Sequence, residues 1–92
     1  MKGHPRPEEL LNFPCDHVFK AFGPNDGTES FVAEVRSAVA QEVPISESAI
    51  TVRPSSKGAY LCVSVVVRVG TFEQLSRIYA SLRQVEGLKY LL

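Results

Sequence analysis

The sequence has 92 residues, 45% of them hydrophobic and 22% charged, and its ten basic and ten acidic side chains cancel to a formal net charge of zero. That length suits one domain with one core, burying roughly 60–65% of the surface its unfolded chain exposes, and the composition excludes a chain too polar or too charged to fold. The charge balance excludes a global field that would draw the protein onto nucleic acid or an anionic membrane, so any such affinity has to come from local segregation of charge.

Residues 1–13 read as a flexible arm in which Pro5 and Pro7 resist regular structure. Within it, Glu8 to Phe13 has the composition for one helical turn, stopped by Pro14. No apolar run follows the opening Met-Lys-Gly-His-Pro-Arg-Pro, so a secretory signal is not expected. The longest apolar stretch, Ala59 to Val67, is broken by Ser64 and falls far short of the roughly 20 residues that cross a bilayer. A cytoplasmic location is the expectation, with Cys15 and Cys62 as reduced thiols.

Residues 14–92 read as one domain. Asp16 to Phe22 predicts a strand, ended by Gly23-Pro24-Asn25-Asp26-Gly27. Thr28 suits an N-cap, and Phe31, Val32, Val35, Ala38 and Val39 recur at helical spacing as far as Glu42. After Pro44, Ile50 to Arg53 predicts a short strand stopped by Pro54, and Ser55-Ser56-Lys57-Gly58 a hairpin turn. Ala59 to Val69, rich in valine, is the strongest strand signal. Thr71 with Gln74 forms a capping box ahead of an apolar stripe through Phe72, Leu75, Ile78, Tyr79 and Leu82. Gly87 closes that helix, and Leu88 to Leu92 predicts a last strand. The order β-α-β-β-α-β with right-handed crossovers points to an α+β, ferredoxin-like domain: a four-stranded antiparallel sheet with both helices on one face.

Several runs carry a family resemblance. Glu9-Leu10-Leu11-Asn12-Phe13-Pro14, Phe19-Lys20, and above all Val52-Arg53-Pro54-Ser55-Ser56-Lys57-Gly58-Ala59-Tyr60 with Val63-Ser64-Val65 resemble the small bacterial YbeD-like proteins, from about Glu8 to Leu92. The resemblance implies a ferredoxin-like fold similar to the ACT domains that sense small metabolites, and a family whose biochemical role is uncharacterised. The Gly23 to Gly27 loop matches only loosely the Asp-x-Pro-Gly loop with which ACT domains hold an amino acid.

Such a sheet leaves one face without helices, and strand parity says what lies there. On the third strand the apolar set Ala59, Leu61, Val63, Val65, Val67 and Val69 should face the helices, sending Tyr60, Cys62, Ser64, Val66 and Arg68 outward. Lys20 sets the parity of the first strand, because a lysine is almost never fully buried; Val18 and Phe22 accompany it. Thr51, Arg53, Lys89 and Leu91 are expected on the same face, and every acid in helices, loops or strand ends. The candidate binding residues are therefore Lys20, Phe22, Arg53, Tyr60, Arg68 and Lys89. To these the turn adds Ser55, Ser56, Lys57 and Gly58, whose amides, hydroxyls and ammonium could cradle an anion. A purely structural role, cations keeping a half-buried sheet soluble and a Gly-ended polar turn, accounts for the same residues.

No catalytic constellation emerges. His4 lies in the arm, and His17 points toward the helices as a structural imidazole. Cys15-Asp16-His17 lacks the third and fourth ligands of a zinc site, no phosphate-binding loop is present, and no cofactor is implied. The leading expectation is a non-enzymatic regulatory or adaptor module that binds a protein partner or itself through the open face or an edge strand. A sensor of a small anionic metabolite or amino acid stands second. Nucleic acid stands last, since Lys57-Gly58-Ala59-Tyr60 only echoes the aromatic third-strand motif of RNA-recognition domains. No membrane partner is expected.

Overall fold

The computed structural model describes residues 12–92. Strand β1, Cys15–Pro24, is followed by helix α1, Ser30–Ala40, a short 3-10 turn, Glu47–Ala49, and strand β2, Ile50–Pro54. Strand β3, Tyr60–Val69, helix α2, Phe72–Arg83, and strand β4, Tyr90–Leu91, complete the order. The strands form one sheet in the spatial order β2-β3-β1-β4, with every neighbouring pair antiparallel. This is the ferredoxin-like arrangement: the two longest strands are central, and β2, which ends at Pro54, lies on an edge that tolerates a missing donor. Of the predicted arm, residues 1–11 lie outside the described residues; Phe13 packs against the core.

The core is apolar throughout. Phe19 and Ala21 of β1 and Val63, Val65, Val67 and Val69 of β3 pack under Phe31, Val35, Ala38 and Val39 of α1 and Leu75, Ile78 and Leu82 of α2. No charged or polar residue is buried among the described residues. Each fully buried side chain of this size is worth roughly 1.5–3 kcal/mol, so the valine-rich strand, bonded along all ten residues to β1, fixes the register of the sheet.

Local chemistry explains where the elements begin. Thr71 caps α2 as its spacing predicts, its hydroxyl accepting from the Gln74 amide at 3.1 Å, while the Gln74 side chain accepts from the Gly70 amide at 2.7 Å. Helix α1 differs from expectation. Thr28 is drawn into a turn in which the Asp26 carboxylate accepts from its amide at 3.1 Å and its hydroxyl at 2.7 Å. Helix geometry consequently starts at Ser30, with Glu29 in the cap position and no side-chain cap. The helix stops at Ala40, two residues short of the expected Glu42.

Gly23 is required by packing: a Cβ there would lie 2.3 Å from the Phe31 ring, so α1 can sit on β1 only over a residue without a side chain. The two cysteines are free. Cys15 pairs with Val69 and Cys62 with Phe22, a separation of seven residues or roughly 23 Å along the strands, far beyond the reach of a disulfide.

Candidate functional site

The backbone register of the sheet arranges its uncovered face in cross-strand rows. At one end Arg68 stands opposite Asp16, with Nη1 and Oδ1 3.5 Å apart and both side chains 65% exposed. Next come Val66 and Val18, directly opposite each other and each 44% exposed. The third row runs Thr51, Ser64, Lys20, and Leu92 extends it by exchanging backbone hydrogen bonds with Lys20 at 3.1 and 2.8 Å. The fourth runs Arg53, Cys62, Phe22, Tyr90. At the far end Tyr60 stands opposite Pro24, and the Lys89 ammonium lies 6.0 Å from the Tyr60 ring centroid. Rows two residues apart are about 6.6 Å apart, so the face runs about 27 Å from Arg68 to Tyr60.

Parity along β3 and β1 is as the sequence predicts. Val63, Val65, Val67 and Val69 are buried while Tyr60, Val66 and Arg68 are exposed, and Lys20 and Val18 are exposed while Phe19 and Ala21 are buried. Arg53 and Thr51 join them through their pairing with Cys62 and Ser64. The structure thus gathers Lys20, Phe22, Arg53, Tyr60 and Arg68 on one side.

Strand β4 corrects the expectation. Leu91 pairs with Ala21 and packs against the core, so it belongs to the helix side. Tyr90 pairs with Phe22 and takes the outward place, 60% exposed, with its ring 5.9 Å from the Phe22 ring. Lys89 shares the parity of Leu91, yet its long stem carries the charge round to Tyr60. Asp16 is a second correction: it is the one carboxylate that stands on this face among the described residues, and it is committed to Arg68. Tyr90, Leu92 and Asp16 are the members that sequence reasoning missed. The Val66 and Val18 parity, carried across β1 to its neighbours, was the only signal for Asp16.

The Ser55 to Gly58 turn stands apart at the end of the β2-β3 hairpin, and Ser55 and Gly58 spend their polar groups within it. The Ser55 amide donates to the Tyr60 carbonyl at 2.8 Å, the Gly58 amide to the Ser55 carbonyl at 2.9 Å, and the Tyr60 amide to the Ser55 hydroxyl at 3.2 Å. Gly58 has φ +76°, the left-handed conformation that a glycine supplies at no steric cost. The Asn25 side chain donates to the Gly58 carbonyl at 2.8 Å, tying the Gly23 to Gly27 loop to the hairpin. The loop suggested by the ACT-like resemblance and the turn read as an anion cradle are therefore joined by this hydrogen bond.

Behind the sheet, His17 hydrogen-bonds through Nε2 to the Tyr79 hydroxyl at 2.9 Å and meets the Phe19 ring edge-on at 4.7 Å. Partial burial lowers its pKa, and burial raises that of Tyr79 against the opposing pull of Arg83. A shallow groove between the helices has a mixed lining, apolar at Ala38, Ala80 and Val85 and polar at Ser37, Gln41, Ser81 and Gln84, with the Glu34 carboxylate already accepting from the Glu86 amide. Among the described residues no three potential metal ligands come together, and no helix is long and apolar enough to cross a membrane.

Residues 8–92 match the family model described as "Protein of unknown function (DUF493)". The chain belongs to this family. It is 38% identical over 86 residues to UPF0250 protein IL0958 of Idiomarina loihiensis, an alignment covering 92% of this chain and 93% of that one. It is 35% identical over 85 residues to a UPF0250 protein of Shewanella amazonensis, with the same coverage. The resemblance to the YbeD-like proteins is thereby shown. The solution structure of protein HP0495 from H. pylori superposes with a TM-score of 0.64 at 13% identity, covering 99% of this chain and 98% of that one. At that identity the likeness concerns the fold.

Proposed function

We propose that this DUF493-family chain is a non-enzymatic adaptor or regulatory module that binds a protein partner with the open face of its sheet. The observation that carries this reading is the apolar centre of that face: Val18 and Val66 side by side, then Phe22 against Tyr90, with Tyr60 at the end. Adjacent exposed apolar side chains are costly to leave in water and form the kind of patch that marks interaction sites. Tyrosine and arginine at its margins are the residue types enriched among binding hot spots. A regulatory role in the cytoplasm agrees with the ACT-like resemblance.

The metabolite-sensor alternative draws less support, because the turn proposed as its cradle uses the Ser55, Gly58 and Tyr60 amides internally. RNA binding gains ring area from Tyr90 and Phe22. The aliphatic pair at the centre of the face, however, offers no stacking platform of the sort single strands use.

The test is photocrosslinking in cells with a benzophenone amino acid placed at Val66 and, as control, at Arg36 on the outer side of α1. A discrete protein adduct from position 66 and none from position 36 is expected. Absence of adduct from position 66, or the same adducts from both positions, contradicts the reading.

A further inference from the structure

Resting on the reading of the open sheet face as a protein-binding surface, we infer that its occupant is an acidic, apolar segment of another protein rather than a second copy of this chain. Charge decides between the two occupants. Among the described residues, the face and its margin carry Lys20, Arg53, Arg68 and Lys89 against one side-chain carboxylate, Asp16. Asp16 is already paired with Arg68. The other ion pairs among the described residues, Arg36 with Glu47 and Arg77 with Glu42, lie on the helix side. Among the described residues, positive charge thus outnumbers negative around the apolar patch of the open face.

Two copies meeting face to face would bring these surpluses together in a region that loses water on contact. Like charges in such an interface cost far more than they do in solution. A segment bearing carboxylates meets the opposite situation: each Asp or Glu finds a cation with no carboxylate partner among the described residues. Arg53 presents the planar fork that grips a carboxylate with two parallel hydrogen bonds.

The layout also sets the pattern of the partner. Val18 and Val66 form one apolar row, Phe22 and Tyr90 another about 13 Å away along the strands. Lys20 lies in the row between them and Arg53 at the β2 edge. The partner accordingly has two clusters of aliphatic or aromatic side chains, separated and bordered by acids. An amphipathic helix of about three turns spans the distance, at 1.5 Å per residue. The aliphatic row favours protein side chains over nucleotide bases, which require flat rings.

The test begins with a library of random dodecamer peptides displayed on phage and panned against the intact protein. Enriched peptides are then synthesised with a fluorophore and titrated by anisotropy against the wild type and exposed-face variants, each first shown to melt like the parent. Enriched sequences are expected to be net negative with spaced apolar residues. Their affinity should fall about tenfold or more in the double variant K20E/R53E, fall with added salt, and vanish in Val66→Glu. Neutral or basic peptides that nonetheless compete for the face, being lost in Val66→Glu, would overturn the charge inference and leave the interaction reading intact. Enriched peptides indifferent to Val66→Glu, or none at all, would overturn both. So would tighter binding of a single-stranded 20-mer oligonucleotide that disappears with Tyr60→Ala and Tyr90→Ala. A concentration-dependent doubling of mass in light scattering, abolished by Val66→Glu, would show that the face meets a second copy and would also overturn the inference.

Discussion

The two faces of strand β3 differ by a single step along the chain and by almost everything else. Val63, Val65, Val67 and Val69 are buried under the helices, while Val66, between two of them, is 44% exposed beside Val18. The same residue type in the same strand is fully buried at one position and half-exposed at the next. The proposed binding role of the open face rests on such exposed apolar side chains, and substitutions on the two faces should therefore differ in their effect on stability.

The largest effect belongs on the covered face. Phe19→Ala removes a fully buried ring that meets both His17 and Tyr79 and is expected to cost about 3–5 kcal/mol in urea unfolding. Gly23→Ala comes next: its new Cβ would strike the Phe31 ring, an overpacking expected to cost about 1–3 kcal/mol. The same substitution at Gly70, where the nearest atom would be 3.6 Å away, provides a milder comparison. Thr71→Ala removes the cap of α2 and should lose about 1 kcal/mol. Val66→Ala on the open face should change stability by less than about 0.5 kcal/mol. A destabilisation there as large as that of Val65→Ala would erase the distinction between the faces.

A smaller, pH-dependent effect arises at His17. Burial lowers its pKa from the usual 6.5, so the unfolded chain binds a proton more readily than the folded one. The neutral imidazole therefore contributes stability that is fully present above pH 6.5 and lost as pH falls through the depressed folded value. Thermal melts from pH 8 to pH 5 should show a decline in the wild type that is shallower in His17→Gln; identical slopes would remove His17 as its source.

Much of this was legible in the sequence because β3 repeats a single signal. Alternate valines from Val63 to Val69 fix parity without ambiguity, and Lys20 does the same for β1 because its ammonium resists burial. The last strand offered no such pattern. Leu88, Leu91 and Leu92 fall on both parities around Lys89 and Tyr90, so periodicity could not choose between faces. The choice is made by tertiary register, since Leu91 lands opposite Ala21 and Tyr90 opposite Phe22. The start of α1 was hidden for a different reason: the Thr28 hydroxyl donates to the Asp26 carboxylate while accepting from the Ser30 amide at 3.3 Å, so it serves the turn and the helix start together. The sequence reads the hairpin turn either as an anion cradle or as a closed turn, and it does not show that the Ser55, Gly58 and Tyr60 amides are paired within the hairpin.

The most direct test of the open face as the working surface places the photocrosslinker at Val18 and introduces Val66→Glu opposite it. The account predicts a variant that melts like its parent but gives no adduct in cells. An undiminished adduct from a folded Val66→Glu protein would contradict it.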